Sequence, residues 1–288
     1  MILRDSHHPT APALRGPTVR VFDSAEAAAE YAADLVLEAL AAAPGAGLGL
    51  ATGSSPQRLY GALARRRAAG ADFSSLSGFA LDEYLGLPAE HPESYRSVIE
   101  RDVIAPLGMD PDRVHVPPAT DDPAVLAAFD ARIGASGGIA VQILGIGGNG
   151  HIGFNEPGTP FSTRTHLTAL SDSTRRANAR FFDSLSDVPT HSVTQGIGTI
   201  LESRRILLLA TGAEKAEAVA TAIESGITID CPATALQLHE NVTFVLDSAA
   251  AGASRCWPVC TAFIHIFRST LALDARDTSP LTLATLAL

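Results

Sequence analysis

Cysteine, methionine and tryptophan are scarce in this chain of 288 residues, at three, two and one. An odd number of cysteines cannot close a disulfide framework. Cys256 and Cys260 stand in C-x-x-x-C spacing without the second pair a zinc site needs, so with Cys231 they read as reduced and mostly structural. No apolar run reaches the roughly eighteen residues of a membrane span, and the opening "MILRDSHHPTAPALRGP" lacks the continuous apolar stretch of a secretion signal. A cytoplasmic location with no membrane partner is the expectation. Basic residues are few as well, 21 against 31 acidic ones for a formal charge of -10, and no basic block exceeds Arg65-Arg66-Arg67. That balance disfavours nucleic acid. It also repels an anionic small molecule, which would have to be met by a few placed lysines, arginines and helix N-termini.

Internal repeats and Gly/Ser-rich or Pro-rich linkers are absent too, which argues for a single domain over residues 18–253. Residues 1–17 read as a disordered N-terminus and residues 254–288 as a tail of unclear structure. What the chain does contain, with 46% apolar residues, is a succession of short Val/Ile/Leu-rich runs separated by helical patterns. The runs are "VRVF" at Val19, "GLGLAT" at Gly47, "GFALD" at Gly78, "RVHVP" at Arg113, "IAVQILG" at Ile139, "RILLLAT" at Arg205 and "VTFVLD" at Val242. Runs of this kind are strands buried on both faces. One helix is expected to open at Asp23 or Ser24 and stop at Pro44-Gly45, a second to run from Pro56, with Ser55 as its cap, to about Gly70, and a third to open at Pro123. Alternating strands and helices imply an α/β fold, a Rossmann-like doubly wound, mostly parallel sheet of about seven strands with helices on both faces.

Ligands of such sheets gather beyond the carboxyl ends of the strands. Four loops lie there: Thr52 to Ser55, Asp82 to Tyr84, Gly145 to Glu156, and Thr211-Gly212 with Lys215. Gly53, Ser54 and Ser55 join a strand to a helix whose free amides suit an anion, although an ordinary capped helix would look the same. Asp82 and Glu83 end an apolar strand with side chains on opposite sides, so one can be a general base in the crevice; a solvated acidic turn is the other reading. Gly145, Gly147 and Gly150 have dinucleotide-fingerprint spacing. Pro157 and Pro160 nevertheless forbid the continuous helix that fingerprint needs. What remains is a glycine loop permitting close approach of backbone to a ligand, followed by His151, Asn155 and Glu156, in which a carboxylate can fix the imidazole's tautomer. Arg180 and Lys215 are either surface charges or anion ligands.

Together these segments resemble the glucosamine-6-phosphate deaminase/isomerase family. The likeness rests on "ATGSSPQRLYGAL", "LDEYLGLPAEHPESY", "GIGGNGHIGFNEPG", "STRRANARFF", "VTQGIGTIL", "GAEKA" and "ALQLH", from about Val19 to Ala251. The TGSS and GAEKA pieces are shared with 6-phosphogluconolactonases, so a lactonase and a sugar-phosphate-sensing domain are the alternatives. The resemblance implies conversion of glucosamine 6-phosphate and water to fructose 6-phosphate and ammonia, without metal or organic cofactor. Asp82 then matches the base for C2-to-C1 proton transfer. His151 matches the residue assisting ring opening, with Glu156 as its carboxylate partner and Asn149 at a position where some members carry Asp. Gly53, Ser54, Ser55, Arg180 and Lys215 fall at the phosphate, Gly145 and Gly147 in the sugar-contacting loop, and residues 159–182 in a mobile lid. Members activated by an acetylated amino-sugar phosphate carry two basic residues where this chain has His166 and Thr168, so no such activation is expected. The exact amino sugar and the oligomeric state stay open, a homo-oligomer included, and residues 254–288 resemble nothing in the family.

Overall fold

The computed structural model of the protein describes residues 16–254. Its strands, in chain order, are β1 (Thr18–Phe22), β2 (Gly47–Leu50), β3 (Gly78–Ala80), β4 (Asp82–Tyr84), β5 (Val114–His115), β6 (Ile139–Leu144), β7 (His166–Ala169), β8 (His191–Thr194), β9 (Ile206–Ala210) and β10 (Val242–Asp247). The seven apolar runs form one parallel sheet in the order β1-β10-β9-β6-β2-β3-β5. Every residue of β2, β6 and β9 is buried. That explains why these strands read as continuous apolar runs rather than alternating ones.

Helices flank the sheet: α1 (Ala25–Ala42), α2 (Ser54–Ala68), α3 (Tyr95–Ile99), α4 (Ala105–Leu107), α5 (Pro123–Ala135), α6 (Asp172–Asn178), α7 (Ile197–Leu201) and α8 (Ala216–Glu224). Ser24 caps α1 by accepting from the Ala27 amide at 3.1 Å, and Asp122 caps α5 by accepting from Ala124 at 2.9 Å, both where the sequence places them. Between α3 and α4 the chain makes a π-turn, Glu100–Ile104, continuous with both. The expected cap of α2 is wrong. The helix starts two residues earlier, at Ser54 after Gly53 at φ +105°, a conformation that only glycine adopts without strain. Ser55 therefore lies inside the helix, and its hydroxyl is free to meet Thr211 at 2.9 Å.

A second, antiparallel sheet, β4-β8-β7, was not legible in the sequence. Leu81 is the joint between the two sheets. Its amide donates to Leu50 O at 2.9 Å in the parallel sheet, while its carbonyl accepts from the Gln195 amide at 2.7 Å beside the small one. Asp82, the next residue, is thereby fixed where the sheets meet. The parallel sheet reverses its winding between β2 and β6, since the chain goes from β2 outward to β3 and β5 and returns on the other side with β6. A crevice at the carboxyl ends of those two strands is the consequence. The N-terminal segment 1–15 and the tail 255–288, with Cys256 and Cys260, lie outside the described residues. No helix among the described residues is long and apolar enough to cross a membrane.

Candidate active site

A cavity of about 700 Å³ occupies that crevice, and all four sequence-predicted loops contribute to its wall. On one side are Gly53, Ser54 and Ser55 at the start of α2, together with Lys215, which precedes α8. The Ser55–Thr211 hydrogen bond ties these two loops together, and Tyr60 braces the first by donating to Ala51 O (2.9 Å) and accepting from Ala51 N (3.1 Å). Arg180 reaches the same cavity from the turn Ala179–Phe181, its guanidinium 4.7 Å from the centre of the Phe181 ring. Burial lowers the Lys215 pKa; Glu214 works against that shift and Arg180 adds to it. Two cations that disfavour each other, beside the amides of a helix start, suit an anion.

Asp82 is buried on the cavity's other side, 6% exposed. Burial raises its pKa well above the ordinary carboxyl value, and the neighbouring Glu83 charge adds to the rise. Glu83 itself points away, as alternation along a strand requires, and accepts from the amides of Tyr84, Tyr95 and Arg96 at 2.8, 2.9 and 2.9 Å. It caps α3 and is structural. Of the pair, only Asp82 faces the ligand space.

His151 follows the glycine loop after β6. A side chain at Gly147, which lines the cavity, would sit 2.2 Å from the His151 ring, so the imidazole needs a glycine there. Gly145 also opens on the cavity, with nothing near its missing Cβ. Gly150, at φ +83°, packs against Cys231, which is buried and free. Burial lowers the His151 pKa, Glu156 opposes this and Lys215 adds to it, which keeps the ring neutral near pH 7. Asn155, the other polar residue of the segment, is fully buried and donates to Ile152 O and Gln195 O, both at 2.8 Å, holding the loop.

Glu156 stands behind His151, outside the cavity wall. Its Oε2 accepts from Asn149 Nδ2 at 2.7 Å, and its Oε1 from Thr174 Oγ1 at 2.5 Å and the Ser171 amide at 3.2 Å. Burial opposes its charge, yet the Thr174 hydrogen bond, the His151 imidazole and the Asn149 and Ser171 donors together hold its pKa below the ordinary glutamate value. The closest His151–Glu156 approach, Nδ1 to Oε2, is 3.8 Å. The two expected partners are brought together without a direct hydrogen bond.

Sequence reasoning missed the residues that close the site. Thr174 and Asn178 on α6 line the cavity, and Asn178 Nδ2 donates to Tyr84 Oη at 2.9 Å, which also accepts from Tyr95 Oη at 3.3 Å. Burial pushes the Tyr84 phenol up to about 12, so it stays a neutral donor. Tyr84, Tyr95, Phe154 and Phe182 form an aromatic floor. The aromatic letters in "DEYLGLPAEHPESY" and "ARFF" were the available signal. Residues 159–182 are only partly a cover: β7 is built into the small sheet, and α6 through Phe182 is the portion that faces the cavity.

Fold and site define a doubly wound α/β protein whose switch-point crevice is lined by Lys215, Arg180 and the start of α2 together with the side chains of Asp82 and His151. Residues 22–245 match the model of the glucosamine-6-phosphate isomerases/6-phosphogluconolactonase family. The chain belongs to that family. A glucosamine-6-phosphate deaminase of Pseudarthrobacter chlorophenolicus is 52% identical over 226 residues, 78% of this chain and 87% of that protein. Another from Streptomyces coelicolor is 50% identical over 237 residues, 81% and 91% of the two chains. Among solved structures, a monomeric glucosamine-6-phosphate deaminase aligns with a TM-score of 0.79 at 39% identity, covering 82% of this chain and 99% of that one. The 6-phosphogluconolactonase of Trypanosoma brucei, at a TM-score of 0.64 and 21% identity over 82% of this chain and 98% of that one, shares the fold.

Proposed function

We propose that the protein is a glucosamine-6-phosphate deaminase, converting glucosamine 6-phosphate and water to fructose 6-phosphate and ammonia. The observation that carries this reading is the buried Asp82 carboxyl, held at the junction of two sheets and facing the cavity that Lys215, Arg180 and the α2 amides line. A hydrolase of lactones has no need of a carbon base. Proton transfer between neighbouring carbons does need one, able to reach both, and a raised pKa brings a carboxylate closer to the strength required. The amino group of the substrate, when protonated, favours the ionised carboxylate and offsets its burial.

In this reading the phosphate is gripped by Gly53, Ser54, Ser55, Arg180 and Lys215, and the energy of that remote contact holds the opened sugar in register. His151, neutral and backed by Glu156 and Asn149, exchanges a proton with the ring oxygen during opening. Asp82 then removes hydrogen from C2 and returns it to C1, and water hydrolyses the resulting imine to release ammonia. Every step is proton transfer or addition of water, so the reaction asks for no redox cofactor. A cytoplasmic sugar-phosphate enzyme without membrane or nucleic-acid partners fits the net charge of -10.

The test is incubation with glucosamine 6-phosphate and assay of both products. Wild-type protein is expected to release ammonia and fructose 6-phosphate in equal amounts, and Asp82→Asn to lose about 10²–10⁴-fold of that rate. Hydrolysis of 6-phosphogluconolactone with no ammonia release would overturn the reading.

A further inference from the structure

The His151–Glu156 couple has an unfilled step. At 3.8 Å the two side chains are too far apart for a hydrogen bond. Both carboxylate oxygens are already engaged, Oε2 by Asn149 and Oε1 by Thr174 and the Ser171 amide. Thr174 Oγ1 lies 3.4 Å from His151 Nδ1 and is buried, 4% exposed. A hydroxyl has one hydrogen and two acceptor sites. Its hydrogen goes to Glu156, because an ionised carboxylate can only accept. Toward Ser171 Oγ, which donates to it at 3.0 Å, and toward His151 Nδ1, the threonine oxygen can therefore only accept. Nδ1 must then carry the imidazole hydrogen, leaving Nε2 as the ring's basic atom.

We propose that Thr174 is a positioning residue: a hydroxyl bridge, carried on α6, through which Glu156 fixes the tautomer of His151. This rests on the acid–base role given to His151 above. The groups that act on the ring agree with it. Lys215 disfavours an imidazolium, Gly147 leaves room for the ring where it lies, and Asn149 Oδ1 accepts from the His151 amide at 3.3 Å, so the backbone is held as well. Because the bridge stands on the same helix as Asn178, which bonds Tyr84, the catalytic tautomer is set only while α6 is seated.

The experiment is ¹⁵N NMR of histidine-labelled protein above the His151 titration, with the ring signals assigned through His151→Gln. Wild type is expected in the Nδ1–H tautomer. Thr174→Val, equal in shape but without the hydroxyl, should shift His151 toward Nε2–H and lower kcat by about tenfold or more, within the 10²–10⁴ an acid–base group supplies, with KM little changed. Thr174→Ser, which keeps the hydroxyl, should rescue both the signal and most of kcat. An Nε2–H wild type, an unaltered tautomer in Thr174→Val, or equal shifts in the Val and Ser variants would overturn the proposal. If Thr174→Val fails to fold, Thr174→Ala takes its place against the serine. The tautomer is read without turnover, so a protein that releases no ammonia would contradict the proposed function and leave this result standing.

Discussion

Asp82 is a residue whose function works against the stability of the free protein. Its folded pKa is above the unfolded value of 3.8. The folded state thus holds a proton that the unfolded state has lost, and stability falls as pH rises through that window. Asp82→Asn is expected to raise the melting temperature at pH 7 while removing activity, each kcal/mol being worth about 2–4 °C in a domain of this size. The gain should vanish below about pH 3.8, which melting curves across pH would show. His151 has the opposite sign: its pKa is lowered from 6.5, so its contribution is present above that value and is lost as pH falls through the folded pKa. Gly147→Ala should leave the fold in place but displace the imidazole, with kcat falling tenfold or more in the ammonia assay, because the ring occupies the space of the new methyl. Asp82, His151 and Lys215 were legible because each closely follows a buried apolar run. Thr174 and Asn178 were not, because their partners stand 18 and 94 residues away in the chain, where no local spacing reports them.

At the scale of elements, the start of α2 shows why serine before proline misleads. Gly53 makes the turn, so Ser55→Ala breaks no cap and should cost only its hydrogen bond to Thr211, about 0.5–1.5 kcal/mol. Gly53→Ala, forced into φ +105°, should cost about 1–3 kcal/mol by urea denaturation. The central strands of the parallel sheet, β10, β9, β6, β2 and β3, were legible because burial on both faces makes them nearly uniformly apolar. The edge strands β1 and β5, only partly buried, were legible from their alternating valines. β4, β7 and β8 were hidden: they are three or four residues long and polar, and β7 is half exposed. That edge also carries His166 and Thr168. Burial holds the His166 pKa below its usual value, with the Arg164 carbonyl and Asp130 opposing, so β7 presents no permanent cation. Addition of an acetylated amino-sugar phosphate is therefore expected to leave the substrate saturation curve unchanged. A shift in its midpoint would contradict that reading.

For the whole molecule, Ser55, Lys215, Asp82, His151 and Arg180 line one cavity, and all come from one chain, where the parallel sheet, the small sheet and the end of α6 meet. Specific activity should therefore stay constant on dilution from micromolar to nanomolar protein; a loss of activity on dilution would show that a second copy completes the site. Fold class was readable because layer architecture follows from the period of the apolar pattern. The way the small sheet and α6 close the cavity was not, because it depends on tertiary hydrogen bonds among Tyr84, Asn178, Glu156 and Thr174.

The most direct measurement is turnover in heavy water followed by proton NMR of the fructose 6-phosphate. One carboxylate serving both carbons from one side predicts that hydrogen reaching C1, whether carried from C2 or exchanged onto the carboxyl from solvent, enters a single one of the two C1 positions. Any deuterium therefore appears there alone with wild-type protein, and none forms at a comparable rate with Asp82→Asn. Label at both positions, or undiminished labelling by the variant, would contradict a lone Asp82 as the carrier of hydrogen from C2 to C1.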